Sequence, residues 1–75
     1  MKLAFSISLI KKYDAFRSDL EVILNNQRIP YAFNKRMEDE DEFFFDYYVN
    51  DSDLKKAIKC VKRASKKEPN RYWVQ

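Results

Sequence analysis

Seven cations dominate the chemistry open to this chain. Lys55, Lys56, Lys59, Lys62, Arg63, Lys66 and Lys67 fall in one short segment and share one arc of a 3.6-residue wheel. Against them stands the single carboxylate of Asp53, which leaves the segment about six charges positive, twice the +3 of the whole chain. Such a face attracts phosphates or an acidic protein surface. The plainer alternative is a solvated helix face, because lysine is a good helix former and keeps small proteins soluble. Like charges without acidic i,i+4 partners repel one another, so the face costs some stability to keep.

A second group is aromatic. Phe43-Phe44-Phe45-Asp46-Tyr47-Tyr48-Val49 is the strongest strand signal in the sequence. In a strand, Phe44, Asp46 and Tyr48 share one face, while Phe43, Phe45, Tyr47 and Val49 share the other. Tyr72 or Trp73 is placed to join the Phe44 and Tyr48 side from a last strand, and both are counted as candidates. Rings on an open sheet face call for a cover. A third group is acidic: Glu38, Asp39, Glu40, Asp41 and Glu42 precede the aromatic run. They read as a solvated hairpin tip that shields a sticky strand from aggregation. They lack the spaced pattern and glycine of an EF-hand loop, so no metal site is expected.

Catalytic groupings are missing. The chain has no glycine and no histidine, which removes phosphate loops, most metal sites and most proton relays. Ser6, Ser8, Ser18, Ser52 and Ser65 have no histidine to activate them, nor does Cys60. One cysteine forbids an internal disulfide and a cysteine-based zinc site within one chain. Cys60 reads as a buried or half-buried structural thiol. The clustered carboxylates lie on an expected turn, without the burial that retunes a pKa. No catalytic residue and no cofactor are expected.

The elements that must position these groups are legible from periodicity. Leu3, Phe5, Ile7 and Leu9 alternate with Lys2, Ala4, Ser6 and Ser8, which predicts a half-buried strand. From Lys12 the period changes. Tyr13, Phe16, Leu20, Ile23, Leu24 and Gln27 gather on one side of a wheel and predict an amphipathic helix over about 12–26. Asn25-Asn26 can end it, since Asn tolerates the left-handed conformation. Ile29, Tyr31 and Phe33 suggest a second strand, which Pro30 confines to an edge. Asn50-Asp51-Ser52 supplies a turn and an N-cap, with Asp53 at the positive end of a second helix. That helix carries the apolar stripe Leu54, Ala57, Ile58, Val61, Ala64 and Ser65, runs on to Lys66 and Lys67, and stops at Glu68-Pro69. Tyr72 to Gln75 suffice for a short fourth strand.

Seventy-five residues in this order predict one domain over 1–75 and an α+β fold. Right-handed crossovers give a ferredoxin-like βαββαβ arrangement. Its four antiparallel strands stand in the order 4-1-3-2, with both helices on one face. This architecture resembles that of RNA-recognition motifs, which would imply nucleotides stacked on the open face. Where those proteins carry a basic residue and glycine entering strand three, this chain has Glu42. Where they place an aromatic on strand one, it has Ala4, Ser6 and Ser8. Regulatory ACT-like domains share the order too, but they place a glycine near their ligand loop.

The sequence-level expectation is therefore a small non-enzymatic protein-interaction module. Short, glycine-free, highly charged and rich in rings, the chain resembles phage or mobile-element accessory proteins in style. The expected partner is a host protein or complex that handles nucleic acid or defence, inhibited by having its surface covered. The expected contacts are Phe44, Tyr48, Trp73 and Tyr72 on the sheet face, with the seven cations steering the encounter. A homodimer through the open sheet face is a second possible use of the rings. The alternative is binding of RNA or single-stranded nucleic acid by those cations. No apolar run approaches the roughly 20 residues of a membrane span, and a cytoplasmic, membrane-free protein is expected.

Overall fold

The computed structural model describes residues 1–9, 15–37, 42–66 and 71–74. Its elements are β1 (Lys2–Leu9), α1 (Phe16–Asn26), β2 (Tyr31–Met37), β3 (Phe43–Val49), α2 (Leu54–Ala64) and β4 (Tyr72–Val74). They form an α+β fold with one four-stranded sheet in the order β2-β3-β1-β4, every neighbouring pair antiparallel. From the opposite edge the same order reads 4-1-3-2. The acidic run lies outside the described residues except for Glu42, as do the expected start of α1 and Lys67.

Both helices cover the same face of the sheet. Phe16, Leu20 and Leu24 of α1 and Ala57, Cys60 and Val61 of α2 join Phe5, Ile7, Phe45, Tyr47 and Val49 in one hydrophobic core. Period 2 in the strands and period 3.6 in the helices bring these residues to a common layer. Cys60 is buried there, and burial pushes its thiol pKa up despite nearby Arg63. Tyr72 also packs against this core, so it faces the helices and not the open face where the sequence suggested it.

Local details correct the sequence reading in three places. The β1–β3 register slips between Leu3 and Phe5, so Leu3 pairs with Tyr48 while Phe5 pairs with Tyr47. This bulge adds one residue to β1 and reverses the faces before it. Ala4, expected on the open face, is buried in the core, and Leu3, expected in the core, stands beside Tyr48. Second, α1 ends through Arg28, not through an asparagine: Arg28 has φ 55°. The Ile29 amide donates to the Leu24 carbonyl and the Arg28 amide to the Asn25 carbonyl, the paired bonds of a Schellman ending. Ile29, read as strand, is instead the buried residue that closes this ending against Leu24. Third, α2 begins through a short 3₁₀ turn at Asp51–Asp53 without a side-chain cap hydrogen bond. It ends at Ala64, before Lys66.

Candidate functional site

The open face of the sheet is built in crosswise rows set by strand register. One row runs Trp73, Ser6, Asp46, Asn34; the next holds Ser8, Phe44 and Arg36. Serine at both β1 positions leaves space above the middle of the sheet. Phe44 and Trp73 lean into it from either side until their ring centroids are 5.7 Å apart. Arg36 lies on the outer side of the Phe44 ring, its guanidinium carbon 5.3 Å from the centroid. Ser6 and Ser8 are consequently only 6% and 4% exposed. The trough that the sequence offered to a partner is filled by the protein's own side chains.

Asp46 sits under this layer and is fully engaged. It accepts hydrogen bonds from Arg36 Nε at 2.8 Å, Arg36 Nη2 at 2.9 Å and Ser6 Oγ at 2.6 Å. The two bonds from Arg36 form a forked, charge-assisted pair. They hold the Asp46 carboxyl below its ordinary pKa, outweighing the opposing effect of burial, with Ser6 and Asn34 adding to the shift. Sequence reasoning missed Arg36 because it ended the second strand near Asn34. The available signal was Asp46 itself, a lone carboxylate in an aromatic strand that demands a cation nearby.

Of the expected sheet-face residues, the structure brings Phe44 and Trp73 together. Tyr48 lies beyond the Asp46 row, paired with Leu3 and Ala32, and makes no ring contact among the described residues. Tyr72 is on the other face. Trp73 remains 46% exposed and is the one ring of the group with substantial free surface.

A second polar cluster lies on the helix side at the β2 edge. The Tyr47 hydroxyl donates to Glu21 Oε2 at 2.8 Å and accepts from Arg17 Nε at 3.3 Å. Arg17 also stacks on Phe33 and Phe45, 4.4 and 4.3 Å from their centroids. Burial, reinforced by Glu21, drives the Tyr47 pKa well above the ordinary phenol value. This network clamps α1 to the sheet. Arg71, also missed from the sequence, is buried and donates through Nε and Nη2 to the Ser8 carbonyl, tying the start of β4 to β1.

The α2 face differs from both. Lys55, Lys56, Lys59, Lys62, Arg63 and Lys66 are all exposed, and none makes an ion pair among the described residues. The ion pairs shown among the described residues lie off this helix: Lys2–Asp51, Arg17–Glu21 and Arg36–Asp46. The five on α2 and Lys66 just past its end split into two groups. Lys56, Lys59 and Arg63 border a groove of about 290 Å³ between α2 and α1, while Lys55, Lys62 and Lys66 lie away from it. Ile23, Gln27 and Cys60 complete its lining.

Among the described residues no set of three or more His, Cys, Asp or Glu side chains converges as a metal site, and no helix is long and apolar enough to cross a membrane. No protein-family model, curated protein or solved structure matches this chain.

Proposed function

We propose that this chain is a small non-catalytic binding module that docks on an acidic surface of a protein partner, with the cations of α2 making the contact. The observation that carries this reading is the set of five exposed α2 cations, with exposed Lys66 just beyond the helix, none of them in an ion pair among the described residues. Mutual repulsion makes that arrangement costly unless a partner offsets it. Three arginines elsewhere are used internally: Arg17, Arg36 and Arg71 each stack or pair within the fold. The strand order, with both helices on one face, supports a ferredoxin-like scaffold, rigid enough to present α2 as a fixed surface.

The role of the sheet face is narrower in this reading than the sequence suggested. Phe44 supports Trp73, the most exposed ring on that face. A stacking platform for several bases finds little support, since Ser6 and Ser8 lie buried beneath these rings. Acting by coverage, such a module blocks a partner's surface without altering it chemically. An accessory inhibitor of a host complex is one form of that role.

The test is affinity capture from host lysate with and without nuclease, followed by rebinding of the purified partner. The reading expects a protein that survives nuclease and rebinds the chain directly. It also expects that reversing Lys55, Lys59 and Lys62 to glutamate weakens rebinding at least tenfold. Capture lost on nuclease treatment, with affinity falling steeply between low and physiological salt, would assign the face to nucleic-acid phosphates instead.

A further inference from the structure

We infer that the groove between α1 and α2 is a docking site for a short acidic peptide segment carrying one apolar side chain. The inference rests on the reading that α2 meets an acidic protein, and it identifies where and how. Three observations converge. The groove has a cationic border on one side only: Lys56, Lys59 and Arg63 lie along α2, whereas α1 contributes neutral Ile23 and its C-cap neutral Gln27. Its floor is apolar, formed by half-buried Ile23 and buried Cys60. Its volume of about 290 Å³ falls just short of the roughly 300–1,000 Å³ of a small-molecule site, so it suits one or two side chains and not a whole ligand.

Spacing fits an extended segment. Lys59 and Arg63 are separated by about 6 Å of helix rise. Carboxylates two residues apart in an extended chain are separated by about 7 Å. A segment lying along the groove can therefore present one carboxylate to each of two cations. An adjoining apolar side chain can then settle on Ile23 and Cys60. Nucleic acid uses such a site poorly: phosphates gain nothing from an apolar floor, and among the described residues no ring lines it for a base to stack on.

The groove can be tested without knowing the natural partner. The probe is a fluorescein-labelled octapeptide of glutamates around a central leucine, measured by anisotropy at low salt. A glutamate octamer and a single-stranded thymidine octamer serve as comparators. Burial of the leucine should make the first peptide bind about tenfold tighter than the glutamate octamer. Gln27→Trp fills the groove from the exposed C-cap of α1 without changing charge, and it should erase that tenfold advantage. Lys56→Glu with Lys59→Glu and Arg63→Glu should abolish peptide binding. Circular dichroism checks that each variant is folded. No leucine preference, or full binding by Gln27→Trp, would overturn the groove. If Lys55→Glu with Lys62→Glu and Lys66→Glu then weakens the glutamate octamer, the broader α2 reading stands without it. Tighter binding of the thymidine octamer overturns the peptide assignment. Peptide binding indifferent to both sets of reversals overturns the groove and the α2 reading together.

Discussion

Trp73 and Phe44 meet across a strand that separates them. They stand on β4 and β3, with β1 between, yet their ring centroids are 5.7 Å apart with planes at 39°. Strands two positions apart are separated by about 10 Å, so the contact exists only because Ser6 and Ser8 are small. The serines are thus part of an aromatic design, and the open face is closed by the chain itself over that stretch.

This pair should be energetically coupled. Phe44→Ala removes a half-buried ring and uncovers Ser8, with an expected loss of about 2–3 kcal/mol. Trp73→Ala, at a more exposed site, should cost about 1 kcal/mol. The double variant should lose less than the sum, by about 0.5–1.5 kcal/mol, as for other ring pairs. Urea unfolding of the four proteins measures this. Trp73 is the only tryptophan, so Phe44→Ala should also shift its emission to the red. Additive losses with unchanged emission would show the rings to be independent.

Acid should weaken the fold through Asp46. Its folded pKa is lowered, chiefly by Arg36. A depressed carboxyl stabilises the fold above its unfolded pKa, near 3.9. That contribution is lost as pH falls through the lower, folded value. Asp46→Asn keeps the shape but loses the charge, and should cost about 1–3 kcal/mol near neutral pH. The gap between the two proteins should close as pH is taken from about 5 to 2 in urea titrations. A gap that stays constant over that range would mean that the charge of Asp46 contributes nothing.

The Arg28 turn predicts a gain from a residue type the chain never uses. A side chain at φ 55° is strained by roughly 1–2 kcal/mol, while glycine there loses about 0.5–1 kcal/mol through unfolded-state freedom. Arg28→Gly should therefore raise stability by up to about 1 kcal/mol, and Arg28→Ala should not. Equal effects of the two substitutions would mean that the left-handed conformation is unstrained.

Periodicity made the elements legible, because burial on one face imposes period 2 or 3.6 wherever it acts. Phe43 to Val49 and the α2 stripe needed nothing further. The Ala4 bulge left no mark in the alternation of β1, since Ala and Leu are acceptable on either face and the slip is decided by pairing with β3. Arg36 escaped for a related reason: its partner lies diagonally across a hairpin, a relation that appears only once register is known. The α2 cations were visible at once. What could not be read was that the chain supplies them no acid among the described residues, while it does supply one to Arg17 and to Arg36.

That difference gives the sharpest test of whether the α2 face is a binding surface or only a solvated one. Lys59 has like-charged neighbours on both sides at helical contact spacing: Lys55, Lys56, Lys62 and Arg63. Each such pair is repulsive by roughly 0.2–0.5 kcal/mol, and reversal of one member makes it attractive. Lys59→Glu should therefore stabilise the isolated protein by about 2 kcal/mol at low salt, a gain that fades toward about 1 M salt as the charges are screened. The same substitution should weaken binding of the partner, or of an acidic peptide probe, by about tenfold, with the effect mainly on the association rate. Stability and binding must move in opposite directions if the repulsion is kept for the sake of a partner. A variant that is more stable and binds unchanged would identify the lysine face as one that simply faces water.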